Sequence, residues 1–151
     1  MQNPSRTKNR WFPHVTVAAV IEQDNRFLLV RENMDPPVIN QPAGHLEENE
    51  TLLQAIEREV LEETAHLFKP EFLVGIYRWS NQQQQTYVRF CFAGKALEQT
   101  SQALDPDILE ACWMSIENIQ KDKVRSPLVM RCIHDYQKGM RHELSVLNEL
   151  I

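Results

Sequence analysis

The sequence predicts a single α/β domain in which a few helices are layered on a mixed β-sheet. Short runs of β-branched and apolar residues alternate with polar turns, and one long amphipathic segment lies among them. This alternation is typical of an α/β/α sandwich. The chain has 151 residues, with no repeat and no linker rich enough to divide domains. We assign residues 1–11 to a flexible N-terminal tail and residues 12–151 to the domain.

Two apolar runs near the N-terminus are predicted to form a β-hairpin. HVTVAAVI (14–21) and RFLLVRE (26–32) have the composition of strands, and Asp24-Asn25 between them has the chemistry of a tight turn. The two prolines in MDPPVI (34–39) predict a loop.

The second half of the chain is predicted to contain three strands and two short helices. Ser and Pro are favoured at helix starts and Gly at helix ends. The predicted elements are strands 71–80, 86–94 and 108–114, a polar loop at 98–107, a helix from Ser115 to Gln120, and a helix from Ser126-Pro127 to Gly139.

Composition and charge argue against several classes of function. The formal net charge of −5 is unlike the basic face that nucleic-acid binding requires. No apolar run approaches the roughly 20 residues of a membrane span, and the N-terminus has no signal-peptide core. Three cysteines without CxxC spacing indicate neither a disulfide framework nor a zinc site. We therefore expect a cytoplasmic protein that binds neither nucleic acid nor membrane.

The segment 51–64 is predicted to be an amphipathic helix with an unusual acidic stripe. Glu59, Glu62 and Glu63 adjoin its apolar face at i,i+3 and i,i+4 spacing, where like charges repel. Residues 45–68 offer no lysine and only one arginine to neutralise them. A hard divalent cation such as Mg²⁺ or Mn²⁺ would remove the repulsion, because it prefers oxygen ligands and commonly pairs carboxylates with substrate phosphates. An ordinary exposed acidic face is the alternative.

Spacing favours the metal site. The chain matches the pattern G-x5-E-x7-R-E-U-x-E-E-x-G-U, in which U is aliphatic, at Gly44, Glu50, Arg58, Glu59, Val60, Glu62 and Glu63. On this motif the sequence resembles the Nudix hydrolase family, and the resemblance implies a Nudix-type α/β/α sandwich around a mixed sheet. Ala65 and His66 depart from the motif. A glycine at position 65 would suit a left-handed turn, so alanine there costs about 1 kcal/mol.

The resemblance also implies roles for the motif residues. Glu59 and Glu63 are the implied principal Mg²⁺ ligands, with Glu62 and the Gly44 carbonyl in support and Mn²⁺ as a possible substitute. Arg58 is grouped with the catalytic glutamates because its ion pair with Glu50 would orient the helix. The metal would polarise phosphoryl oxygens and activate a water, with Glu59 as the expected base.

A further acidic ligand is expected from outside the motif. Glu110 is the first candidate, and Asp105 and Asp107 are rivals. Arg125, next to a predicted helix N-terminus, is a candidate substrate-binding residue, as is His14. Three arginines in strand-like runs could also line a cleft but are not ranked: Arg31, Arg78 and Arg89.

Segments outside the motif, among them RSPLV and DYQKGMRHEL, resemble a bacterial phosphatase branch of the same family. That branch implies a monomer of low specificity. It would release phosphate from nucleoside tri- and diphosphates and hydrolyse thiamine-type pyrophosphates such as hydroxymethylpyrimidine pyrophosphate. Two alternatives remain: a narrower pyrophosphohydrolase for oxidised dNTPs, ADP-ribose or dinucleoside polyphosphates, and a non-catalytic module that senses a nucleotide.

Overall fold

The computed structural model describes residues 9–151, so most of the predicted tail lies outside the described residues. The described chain folds into two four-stranded β-sheets flanked by helices. Its strands are β1 (His14–Val20), β2 (Glu22–Gln23), β3 (Arg26–Glu32), β4 (Val38–Asn40), β5 (Ala43–His45), β6 (His66–Ser80), β7 (Thr86–Gln99) and β8 (Ile108–Met114). Its helices are α1 (Leu52–Thr64), α2 (Ile116–Gln120) and α3 (Leu128–Gln137). None of these helices is long and apolar enough to cross a membrane.

The first sheet is mixed, with strand order β5-β1-β7-β6. β1 runs parallel to β7, and the other pairings are antiparallel. β6 and β7 are longer than predicted, because their hairpin continues through three register shifts between His66 and Gly75. The pairing of His66 with Gln99 extends the sheet into the predicted loop 98–107, which instead begins at Thr100.

The second sheet is antiparallel and is built around β3, which pairs with β2, β4 and β8. Asp24 and Asn25 form the predicted turn, and both have the positive φ that tight hairpin turns require. The loop predicted at 34–39 is wrong at its end, because Val38 pairs with Glu32 and starts β4.

Two hydrophobic clusters place α1 and α3 on opposite faces of the mixed sheet. Val17 and Phe92 pack with Ile56 of α1 in one cluster. Cys91, the strand neighbour of Phe92, packs with Val129 of α3 in the other. Since consecutive strand residues point to opposite faces, the sheet lies between the two helices, as the predicted sandwich requires.

Helix α1 begins with a capping box. The Thr51 hydroxyl accepts a hydrogen bond from the Gln54 amide at 3.1 Å, and the Gln54 side chain accepts one from the Thr51 amide at 2.9 Å. The first turn of α1 contains no acidic residue of its own. Instead Glu149, near the C-terminus, accepts a hydrogen bond from the Leu52 amide at 2.7 Å.

The last helix starts one residue later than predicted. α3 begins at Leu128, and the Ser126 hydroxyl accepts a hydrogen bond from the Leu128 amide at 3.2 Å. Gly139, with φ +83°, follows the end of the helix as expected. Beyond it, the chain forms a short 3₁₀ turn at Leu144–Val146.

Candidate active site

A cleft of about 490 Å³ opens where the N-terminal residues of the motif meet α1. Most of its lining is polar and acidic. The residues that line it are Glu32, Asn33, Met34, Ala43, Gly44, His45, Glu47, Arg58, Glu59, Glu62, Glu63, Asp105, Asp107, Ile108 and Arg125. The acidic stripe predicted from the helical wheel therefore faces one cavity.

Glu63 is the most deeply buried of the three glutamates. Its side chain accepts a hydrogen bond from the Ala43 amide at 2.7 Å, and the residue is only 8% exposed. Burial raises the pKa of Glu63 to about 9, and the neighbouring charges of Glu59, Glu32 and Asp105 add to the rise. Burial first, and then repulsion by the neighbouring carboxylates, therefore opposes ionisation of Glu63.

Arg58 braces the stripe from one side. Its guanidinium makes a bidentate pair with Glu50, at 3.0 Å from Nε and 2.7 Å from Nη2, and donates from Nη2 to the His45 carbonyl. Nη1 reaches Glu59 at 2.7 Å and Glu62 at 3.3 Å. Bonding to Arg58 lowers the pKa of Glu50, and the carboxylates, Glu50 first, raise the pKa of Arg58. The predicted Arg58–Glu50 pair is thus present.

Gly44 allows the closest approach between strand β5 and α1. A Cβ atom at this position would overlap the carboxylate of Glu59, so only glycine fits without moving that side chain. Burial raises the pKa of Glu59, against the lowering effect of Arg58. The glycine of the motif therefore determines how close the Glu59 oxygens can lie to the β5 backbone.

The helix closes with the left-handed turn expected where the motif departs from the family pattern. Ala65 has φ 60° and ψ 13°, and its amide donates to the Leu61 carbonyl. The departure therefore leaves the helix end in its expected conformation, with an alanine in backbone geometry that favours glycine.

Glu110, the first candidate for an acidic ligand from outside the motif, lies away from the cleft. Glu110 does not line the cleft; it bonds Arg31 at 3.1 Å and is its register partner across β8 and β3. Paired residues share a sheet face and consecutive residues alternate, so Glu110 lies on the face opposite Glu32. The structure therefore places Glu110 outside the cleft that the motif glutamates line.

Both rival aspartates do line the cleft. The Asp105 amide donates to the Glu62 carbonyl at 2.8 Å, which holds the 100–107 loop against the end of α1. Asp107 follows, with its amide bonded to the Asp105 side chain at 2.9 Å.

Glu32 was missed by the sequence analysis. It accepts hydrogen bonds from Asn40 at 2.6 Å and Arg125 at 2.8 Å. An acidic residue at the last position of an apolar strand was the available signal.

The two substrate-binding candidates have different surroundings. Arg125 lines the cleft and also a second, adjoining cavity of about 930 Å³. His14 lines neither; it stacks on Tyr87 with ring centres 4.9 Å apart and shares a hydrogen bond of 3.2 Å with His45. His45 lines both cavities, and burial, followed by the charge of His14, lowers its pKa.

The carboxylate oxygens of the cleft are of the type that a hard divalent cation prefers, although these side chains do not converge on one point. No three Asp, Glu, His or Cys side chains in residues 9–151 surround a common point that could hold an ion. Glu59 is turned toward Arg58, and Glu63 toward the Ala43 amide. Carboxylate oxygens are the ligands that Mg²⁺ prefers, and the buried, repelling Glu63 lacks a cationic partner among the described residues. Small rotations of these side chains would therefore be needed to coordinate a metal.

Comparison with known proteins identifies the family. The NUDIX domain model matches residues 12–132. This chain is a member of the Nudix family. A NUDIX hydrolase from Nitrosomonas europaea is similar in structure, with a TM-score of 0.90 and 48% identity over 92% of this chain and 98% of that one. The protein is therefore a Nudix hydrolase, an enzyme that acts on phosphoric anhydrides.

Two further relatives extend the comparison. Phosphatase NudJ from Escherichia coli K12 is 40% identical over 141 residues, which cover 91% of this Nudix chain and 92% of NudJ. The NUDIX domain of NrtR from Shewanella oneidensis, solved with ADP-ribose, has a TM-score of 0.74 but only 18% identity, over 88% of this chain and 92% of that one. The second comparison shows a shared fold.

Proposed function

We propose that this Nudix hydrolase is a Mg²⁺-dependent phosphatase of low specificity. Its substrates would be nucleoside tri- and diphosphates, from which it releases orthophosphate, and thiamine-type pyrophosphates such as hydroxymethylpyrimidine pyrophosphate. The similarity to Phosphatase NudJ over nearly the full length of both chains supports this substrate class. The observation that carries the proposal is the buried Glu63 carboxylate, crowded by other acids in a cleft large enough for a phosphate chain.

Each cleft residue has a proposed part. Glu59 and Glu63 are the principal ligands, with Glu62 and the Gly44 carbonyl in support. Mg²⁺ at this position would polarise phosphoryl oxygens and lower the pKa of a bound water, and Mn²⁺ could replace it. Asp105 and Asp107 take the place first assigned to Glu110, because they line the cleft and Glu110 does not.

Two side chains would act on the proton and on the phosphate. Glu59, partly buried and free of the Ala43 bond that fixes Glu63, is the proposed general base that takes the proton from the attacking water. Arg58 holds one Glu59 oxygen through the 2.7 Å bond and keeps the side chain at the edge of the cleft. Arg125, at the junction of the two cavities, would leave Glu32 to hold the departing part of the substrate.

The products test this proposal. A panel of NTPs, NDPs, thiamine pyrophosphate and ADP-ribose would be incubated with Mg²⁺, with phosphate and pyrophosphate measured separately. Orthophosphate from both NTP and NDP is the expected result. Monophosphate plus pyrophosphate from NTP alone would instead indicate a narrower pyrophosphohydrolase.

A nucleotide-sensing module is the competing non-enzymatic reading. Glu59, Glu62 and Glu63 all face the cleft beside Arg58, which supports catalysis rather than sensing alone. Binding without metal-dependent turnover of any compound in the panel would favour the sensor. We further propose that the enzyme is a cytoplasmic monomer; sedimentation equilibrium tests its oligomeric state.

A further inference from the structure

The second cavity has a floor that the phosphate chemistry does not use. It shares six residues with the first cleft: Glu32, Met34, Ala43, Gly44, His45 and Arg125. From there it extends toward Trp79 and Tyr87. These residues lie on the same face of the mixed sheet as α3, in the part that the helix does not cover. The two cavities therefore form one path around strand β5, and a substrate held at the acidic end would place its remaining part over the sheet.

Strand register orders the floor into two rows. Tyr87 and Trp79 are register partners across β7 and β6 and form an aromatic row, which His14 of β1 continues outside the cavity. Tyr87 and Trp79 are stacked, with ring centres 6.0 Å apart. Two residues further along the strands, Thr16 pairs with Arg89. Alternation of side chains puts both rows on the same face, so aromatic rings lie beside a polar pair.

The polar pair is buried and incompletely bonded. Arg89 is 7% exposed and Thr16 is 6% exposed, yet both line the cavity. Among residues 9–151, neither Arg89 Nε nor the Thr16 hydroxyl has a hydrogen-bond partner, and Arg89 forms no ion pair. Buried polar groups are almost always satisfied, and leaving them unsatisfied destabilises the fold. Two unsatisfied groups on residues that line one cavity, each with almost no exposed surface, mark a place where a bound ligand would supply the missing partners.

Gln41 fixes the direction of the arginine. Its side-chain carbonyl accepts a hydrogen bond from Arg89 Nη1 at 2.9 Å, while its amide donates to the Ala19 carbonyl at 3.1 Å. Because the amide end is bound to Ala19, the carbonyl end must face Arg89. Gln41 is thus a positioning residue that fixes Nη1 of Arg89, a residue that lines the cavity.

We propose that Arg89 and Thr16 form a specificity subsite for the oxo-bearing edge of a heteroaromatic base, with the ring of the base against the Tyr87–Trp79 row. The inference rests on the proposed nucleotide hydrolysis and adds a base preference to it. Guanine O6 and N7 and uracil O4 accept hydrogen bonds, whereas adenine and cytosine present an amino donor at the matching position. A guanidinium carries only donors. It therefore favours guanine and uracil, whereas against adenine and cytosine it would place one donor opposite another.

The preference is measurable in hydrolysis. Wild-type enzyme is expected to turn over GTP and UTP with kcat/KM about tenfold above ATP and CTP, in line with one arginine contact to a base. Arg89→Lys keeps the charge but loses the planar fork of donors. Arg89→Lys should reduce kcat/KM for GTP and UTP to the values for ATP and CTP, which should stay unchanged. Thr16→Val, which keeps the shape, should weaken the preference in the same direction.

The matched control is Arg78→Lys. Arg78 pairs with Val88 on the opposite face of the same sheet and is exposed, so this substitution should leave all four rates unchanged. Circular dichroism of each variant verifies folding. If Arg89→Lys does not fold, the Thr16→Val series carries the test.

Monophosphates separate this inference from the proposed function. Calorimetry with GMP, UMP, AMP and CMP requires no turnover, and only GMP and UMP should lose about tenfold in affinity in Arg89→Lys. The inference would be overturned if Arg89→Gln lost affinity equally for all four monophosphates and Arg89→Lys restored it. That result would mean that Arg89 binds the phosphate through its charge. The absence of any base preference in the wild type would also overturn the inference. Failure to hydrolyse any nucleotide would defeat only the proposed function.

Discussion

The role proposed for Glu63 opposes the stability of the fold at a single residue. The carboxylate is buried among other acids, and burial is the largest cause of its raised pKa. Without a cation, the folded protein must either protonate this group or keep a charge in a place that disfavours it. In the proposed site a metal ion would reverse the balance, because the same charge would then be a ligand.

We therefore expect Glu63→Gln to stabilise the metal-free enzyme while abolishing metal-dependent turnover. The amide can still accept the Ala43 hydrogen bond but carries no charge to bury. In EDTA at pH 7, the gain in unfolding free energy should be on the order of 1–3 kcal/mol. Thermal melts with and without Mg²⁺ measure it: the metal should raise the Tm of the wild type and not that of the variant. A lower Tm for the variant in EDTA would contradict this account.

Ala65 carries backbone strain that can be relieved. Its φ of 60° lies in the left-handed region, where an L-residue with a Cβ is disfavoured relative to glycine. The Ala65 side chain is also buried, so glycine loses a small packing contribution. The net expectation for Ala65→Gly is a gain of about 0.5–1 kcal/mol in unfolding free energy by chemical denaturation.

Ala55 provides the matched control for this substitution. It is fully buried in the middle of α1, where φ is helical and glycine is a poor helix former. Ala55→Gly should destabilise by about 1 kcal/mol or more. The same change at two positions of one helix is thus expected to have opposite signs, and equal signs would reject the strain at Ala65.

At the scale of the element, the sequence predicted α1 well because its residues are locally consistent. Apolar spacing determines the buried face, and Thr51 with Gln54 supplies the cap. What could not be predicted was the contact from Glu149, which lies almost a hundred residues away and reaches the helix only through the fold. Long-range caps leave no periodic signal.

The cap makes a prediction for the element as a whole. Thr51→Ala removes the side-chain acceptor for the Gln54 amide and should cost about 1 kcal/mol of stability. Hydrogen exchange should increase at the first turn of α1 and not at its last. Thr100→Ala is the control, because it removes a hydroxyl that donates to the Ala65 carbonyl at the other end of the helix. It should increase exchange at the last turn of α1 and not at the first. Uniform acceleration along α1 in both variants would contradict the local role of the cap.

The strands show why element ends were less predictable than element types. The β6–β7 hairpin continues past Pro70 because bulges absorb the irregularity, which local propensity does not reveal. The position of Glu110 outside the cleft was unpredictable for the same reason. Its position is set by the β3–β8 register, in which it faces Arg31, and the spacing of residues along one strand contains no information about that register.

At the scale of the whole molecule, the motif and the second cavity differ in how far the sequence could predict them. The motif was predictable because its residues are close in sequence and lie on strand β5, the loop after it and helix α1. The second cavity was not, because it is assembled from β1, β6, β7 and the loops beside α3. Arg89 was noticed as a strand arginine, but its burial and missing partners depend on packing that only the fold supplies.

The central claim is that the acidic cleft hydrolyses phosphoanhydrides through a divalent cation held by Glu59, Glu62 and Glu63. Orthophosphate release from GDP, titrated with Mg²⁺, tests it most directly. We expect release that saturates with Mg²⁺ in the wild type, is absent in EDTA, and falls by at least about a hundredfold in Glu63→Gln. Turnover that persists undiminished in the variant or in EDTA would contradict the account.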